Sequence, residues 1–151
     1  MSGTRARSAF TDLGTALGID DLQLDENGYA ALGFDDLLVN FELDEERDRL
    51  LLTASLGQPE GNKQAAYELL MSANYLWQGT GGGTLALEES SGEIILQKPL
   101  PIATLDQQAL EMAIEIFVDT AELWAQQLAA GSGDESTDDE QPMPPGGILR
   151  A

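Results

Sequence analysis

The sequence predicts an α+β fold, an antiparallel sheet packed with helices in the order α-β-β-β-α-β-β-α. Three observations predict it. Apolar residues recur at spacings of three and four in three segments, they alternate with period two in five others, and glycine, asparagine, proline or acidic residues mark the changes of period. A chain of 151 residues is long enough for one such domain, residues 1–130, followed by a tail, residues 131–151.

From Thr4 to Leu17 the residues Ala6, Phe10, Leu13 and Leu17 share one helical face, and Gly18 sits where a left-handed cap would end the helix. Tyr29–Phe34 and Leu37–Leu43 read as strands, with Val39, Phe41 and Leu43 alternating against Leu38, Asn40 and Glu42. A third strand, Arg49–Leu56, follows the "DEER" turn and makes a meander the economical reading. Asn62 is placed to cap a second helix running to about Leu76, with Leu69, Leu70, Ala73, Leu76 and Trp77 on its apolar side. Thr84–Leu87 and Glu93–Gln97, joined by "EESSGE", read as a hairpin. Thr104 and Gln107 have the spacing of a capping box before a long amphipathic run through Leu128. The stripe expected for that run is Ala109, Ala113, Phe117, Ala121, Trp124 and Leu128, widened by Ile116 and Leu123. After Ala130 the composition shifts to Gly, Ser, Pro and acid, too poor in apolar side chains to offset ordering entropy, and the tail is expected to be disordered.

The composition excludes whole classes of function. With 27 acids against 7 bases the net charge is −20, which argues against nucleic acid and anionic membranes as partners, because both draw affinity from Lys and Arg. The chain contains no Cys and no His, removing thiolate chemistry, zinc ribbons and the commonest general base at neutral pH. No segment is apolar over the length of a bilayer, and the two arginines of "MSGTRARSAF" precede no apolar signal region. A cytoplasmic protein without membrane insertion is the expectation.

"GTGGGT", Gly79–Thr84, looks at first like a phosphate cradle. Such cradles lie between a strand and a helix whose free N–H groups face the anion. Here a helix precedes and a strand follows, so the expected role is a hinge where glycines permit positive φ. The acidic pairs at Asp20-Asp21, Asp25-Glu26, Asp35-Asp36, Asp44-Glu45-Glu46 and Glu88-Glu89 fall in turns without calcium-loop spacing, and no cofactor or metal is expected. The breadth of the second helix, with Leu69 and Leu70 adjacent and Trp77 beyond them, suggests a homodimer contact; burial within its own subunit is the competing account.

The element order from Phe10 to Leu128 resembles that of the type III secretion chaperones of the CesT/Tir-chaperone family. The likeness is closest in "LLMSANYLWQGTGGGTLALEESSGEIILQKPLPIATLDQQALEMAIEIFVDTAELWAQQL". It implies a cytoplasmic, non-enzymatic homodimer that binds the N-terminal segment of a secreted effector in extended form and keeps it soluble and export-competent. Under that resemblance the dimer contacts are Leu69, Leu70, Ala73 and Trp77, and the client contacts are Phe10, Leu13, Leu17, Leu32 and Phe34. The same side chains serve as core if they face inward. The acidic tail departs from the family pattern and has two readings, contact with the secretion ATPase or solvation of the dimer. Two alternatives to effector carriage stand beside it: sequestration of a secretion regulator, and a carboxylate-dependent metal binder or hydrolase.

Overall fold

The computed structural model describes residues 2–131. The elements are α1 (Ser2–Leu17), β1 (Tyr29–Phe34), β2 (Leu37–Asp44), β3 (Arg49–Ser55), α2 (Lys63–Asn74), β4 (Thr84–Glu88), β5 (Glu93–Pro101) and α3 (Gln107–Ala129). Short 3-10 turns occupy Tyr75–Trp77 and Ile102–Thr104. The expected α+β order is present, and the strands form one sheet in the order β1-β2-β3-β5-β4. Apart from Gly131, the expected disordered tail lies outside the described residues. The described residues fall into two compact units, one built from those up to Ala54 with Lys98–Val118, the other from Ser55–Gln97 with those from Asp119 onward.

In the first unit α1 buries Ala6, Ala9, Phe10 and Leu13, an i, i+3, i+4, i+7 stripe. Alanine at two of the four positions lets the helix come close, and Phe10 meets Phe41 of β2 edge-on with ring centroids 4.9 Å apart. The stripe stops short of Leu17, which is 44% exposed, because the helix ends there. Gly18, at φ 74°, donates to Thr15 O while Ile19 donates to Gly14 O. These are the two bonds that close a helix through a left-handed residue, and glycine alone takes that conformation without a steric cost. β1 and β2 pair antiparallel with Ala30, Leu32 and Phe34 opposite Phe41, Val39 and Leu37. Directly paired residues share a sheet face, so Leu32 and Phe34 lie on the side that packs on α1. At the β2–β3 turn Asp44 holds Arg47 and Arg49, each at 3.1 Å.

In the second unit Asn62 caps α2 as expected, its Oδ1 accepting from the Ala65 N–H at 3.0 Å. Ala66, Leu70 and Ala73 are buried. β4 and β5 form the expected hairpin, with Leu85 opposite Leu96 and Leu87 opposite Ile94.

Two expectations about α3 need correction. Its cap is Asp106, whose Oδ1 accepts from the Ala109 N–H at 2.8 Å; Thr104 is held in the preceding 3-10 turn. The buried stripe is Leu110, Ile114, Phe117, Ala121, Trp124 and Leu128, in place of the one through Ala109 and Ala113. Both versions keep spacings of three and four, and the larger side chains one position further on fill the inward face better. Ile116 and Leu123 remain 42% and 55% exposed, so the stripe is narrower than expected.

Candidate protein-binding surfaces

The first surface belongs to the first unit. Among the described residues β1 has a partner only on its β2 side and is an end strand of the sheet. Natural sheets usually blunt such edges with charge, proline or bulges; β1, "YAALGF", carries no charge and no proline. Its inward-facing Leu32 and Phe34 are half-buried, because an end strand is covered from one side only. At the end of α1, Leu17 and Ile19 are exposed. Arg7, nearer the start of α1, turns its guanidinium to the chain, donating to the carbonyls of Leu24 and Asp25 at 3.3 and 3.0 Å. Of the five residues expected to face a client, Leu17, Leu32 and Phe34 have surface to offer. Phe10 and Leu13 do not. They are 0% and 1% exposed and are core residues, since a helix packed on a sheet turns its central stripe inward.

The second surface lies in the second unit, where α2 ends. The helix stops at Asn74, two residues before the expected Leu76. Leu76 and Trp77 then take left-handed conformations, φ 53° and 55°. That region disfavours bulky L-residues by roughly 1–2 kcal/mol each. As a result Tyr75, Leu76 and Trp77 are 68%, 61% and 56% exposed, and Met71, one turn earlier, is 73% exposed. Of the residues expected at a dimer contact, Trp77 is open and Leu69 half-buried. Leu70 and Ala73 are buried in the core of their own unit, on the opposite side of the helix from Met71.

A set of hydrogen bonds holds this turn. Gly79 N–H donates to Ala73 O at 3.0 Å. The Trp124 indole N–H donates to Gly79 O at 2.8 Å. Asn74 grips β4 at both ends of its amide, donating to Leu85 O and accepting from Leu85 N–H, each at 2.9 Å. Buried Thr80 donates to Gly83 O at 2.6 Å. The glycine run therefore does more than turn. A Cβ at position 79 would sit 3.0 Å from that of Ala73, so the residue must be small for the chain to fold back, while Gly81 and Gly82 supply the expected positive φ.

Sequence reasoning missed Met71 and Tyr75 as surface residues. A signal for them was present: they lie in the run from Leu69 to Leu87, where no residue is charged, the longest such run in a chain of net charge −20. Among the described residues no three acidic side chains converge as a metal site requires. Two carboxylates are nonetheless held below their ordinary range. At Asp44 partial desolvation works upward, and the hydrogen bonds and charge of Arg47 with the Arg49 bond outweigh it. At Glu88 the hydrogen bonds from Ser91 and Ser90 do so. Both sit in turns. No helix among the described residues is long and apolar enough to cross a membrane.

An uncharged sheet edge and an apolar, rigidly held turn are features of a protein-binding domain. The sequence profile of the Tir chaperone protein (CesT) family matches residues 8–125, and the chain belongs to that family. It is 30% identical over 121 residues to the transcriptional anti-antiactivator ExsC of Pseudomonas aeruginosa, covering 80% of this chain and 83% of ExsC. The crystal structure of the ExsC–ExsE complex superposes with a TM-score of 0.74 at 27% identity, over 83% of this chain and 95% of the other. The HopA1–SchA chaperone–effector complex gives 0.71 at 21%, over 83% and 97%. The Yersinia pestis type III secretion chaperone SycH, solved with a stable fragment of YscM2, gives 0.64 at 21%, over 78% and 98%. The last two likenesses concern the fold alone. The antiparallel sheet with three helices is thus a secretion-chaperone fold, as the sequence resemblance implied.

Proposed function

We propose that this protein is a cytoplasmic, homodimeric type III secretion chaperone that binds the N-terminal segment of a secreted effector in extended form and keeps it soluble for export, with no chemical step of its own. The observation that carries the reading is the β1 edge, uncharged and, among the described residues, unpaired on one side, with Leu32 and Phe34 half-exposed on its inward face in a family of chaperones. An extended segment added there gains backbone hydrogen bonds independent of its sequence, while the apolar side chains give selectivity. Leu17 extends the client surface. For the dimer, the contact we assign is the turn after α2, with Trp77 and Leu69 joined by Met71, Tyr75 and Leu76. A two-fold contact sets the same patch of each subunit against the other, so two chains of charge −20 meet most favourably through surface without charge. Met71, Tyr75, Leu76 and Trp77 are exposed along such a stretch.

The test is calorimetry of the full chain against the N-terminal segments of secreted proteins encoded near its gene. Binding at micromolar affinity or better to one of them is expected, and binding to none overturns the proposal. The likeness to an anti-antiactivator supports a second reading, in which the captured protein is a secretion regulator. Deleting the gene separates the two: effector carriage predicts loss of one exported protein at unchanged transcription, and sequestration predicts changed transcription of the secretion genes.

A further inference from the structure

Leu76 and Trp77 present a physical problem. Two large apolar residues in succession hold a backbone conformation that both disfavour, and both are more than half exposed, so burial within the chain does not compensate them. Such a conformation persists only where its surroundings over-determine it. The surroundings are specific: the closing bond from Gly79 to Ala73, and the indole of Trp124 on Gly79 O. Trp124 is itself 6% exposed and fixed in the α3 stripe, so it offers a rigid donor to a carbonyl two residues beyond the strained pair.

We propose that Trp124 is a positioning residue for the homodimer contact: by holding the Gly79 carbonyl, its indole N–H keeps Leu76 and Trp77 in the left-handed turn that presents them to a second copy of this chain. The inference rests on the homodimer proposed above. A second copy is the occupant that fits, because the surface is apolar and lies at the start of the one long uncharged run of a strongly acidic chain. Without the indole bond the turn relaxes toward ordinary backbone conformations and the two side chains lose their fixed presentation. A hydrogen bond of ordinary strength shifts such an equilibrium by about fivefold. Since a two-fold contact needs both turns in place, the dimer weakens by up to about 25-fold.

Sedimentation equilibrium of the full chain tests this with four proteins. A wild type that is monomeric across micromolar concentrations overturns the homodimer, and the inference with it. In a dimeric wild type, Trp124→Phe keeps the ring and removes the donor, and is expected to weaken the dimer by roughly 5- to 25-fold. Gly79→Ala displaces the same carbonyl against Ala73 without touching the indole, and the same loss is expected. Leu76→Gly is the readout that a merely structural role would not move: glycine relieves the left-handed strain, so the unfolding midpoint holds or rises while the dimer weakens. An unchanged dimer constant in Leu76→Gly puts the contact elsewhere and overturns the inference while leaving the homodimer standing. An unchanged constant in Trp124→Phe, or in Gly79→Ala where the first variant does not fold, also overturns it.

Discussion

Replacing Trp77 by alanine separates dimer formation from folding. Trp77 is 56% exposed in the single chain. Of the roughly 250 Å² that an indole side chain can bury, about 140 Å² is therefore left for a partner. At about 25 cal/mol per Å² that area corresponds to about 3.5 kcal/mol per protomer. Area overstates affinity, because association also orders the side chains it covers, and about 2 kcal/mol per protomer is the more realistic loss. A two-fold contact loses it twice, so Trp77→Ala is expected to raise the dimer dissociation constant by about a thousandfold. The chain itself should stay folded, since alanine removes little that the monomer buries. Sedimentation equilibrium gives the first quantity and circular dichroism on heating the second. A dimer constant unchanged from that of a dimeric wild type refutes the assignment of Trp77 to the contact. A monomer that no longer folds refutes the premise that its side chain is free.

Three further outcomes are expected. Phe10→Ala empties a fully buried site against Phe41 and should cost about 3–5 kcal/mol in urea unfolding; unchanged stability with lost client binding would return Phe10 to the client surface. Leu17→Asp should leave the chain folded and dimeric while weakening a bound effector segment at least about tenfold by calorimetry, because a charge then enters an apolar contact; equal affinity removes Leu17 from the site. Asp44 and Glu88 have folded-state pKa values below their ordinary 3.8 and 4.5, so the stabilisation they give is present above those values and is lost as pH falls through the lower folded ones. The stability deficit of Asp44→Asn at neutral pH should therefore shrink below about pH 3.8, and a deficit independent of pH would mean the carboxylate charge is not its cause.

The parts of the fold legible in the sequence were those with a local cause. Gly18, Asn62 and the alternation of Val39 and Phe41 each act within a few residues, and each sits where the pattern placed it. The errors came where a longer-range contact decided between two locally equivalent choices. In α3, Ala109 and Leu110 satisfy the same periodicity, and the larger side chain took the inward face. After Asn74 the helical pattern of Leu76 and Trp77 continues in the sequence and stops in the structure. There Asn74 pairs with β4 and Trp124 with Gly79, contacts that no local spacing encodes. For the candidate site, the absence of charge from Tyr29 to Phe34 is visible in the sequence, but that this strand ends the sheet, and that Phe10 meets Phe41, depend on neighbours far along the chain.

The phosphate-cradle reading of Gly79–Thr84 fails for a reason that extends beyond that motif. Glycines expose backbone, and exposed backbone serves an anion only if its N–H groups are free. Here the N–H of Gly79 is spent on Ala73 O and that of Gly83 on Thr80 O, with the Gly79 carbonyl taken by Trp124. The two bonds at Gly79 tie the loop to the end of α2 and to α3, and the bond at Gly83 closes the loop on itself. What the loop presents instead is side chain, the uncharged and strained Leu76–Trp77 pair just before it. A segment that commits its polar groups inward and its apolar groups outward is suited to an apolar protein surface. In the homodimer proposed above, the absence of any charge from Met71 to Leu87 is a selectivity device, because along that stretch another acidic copy meets no like charge.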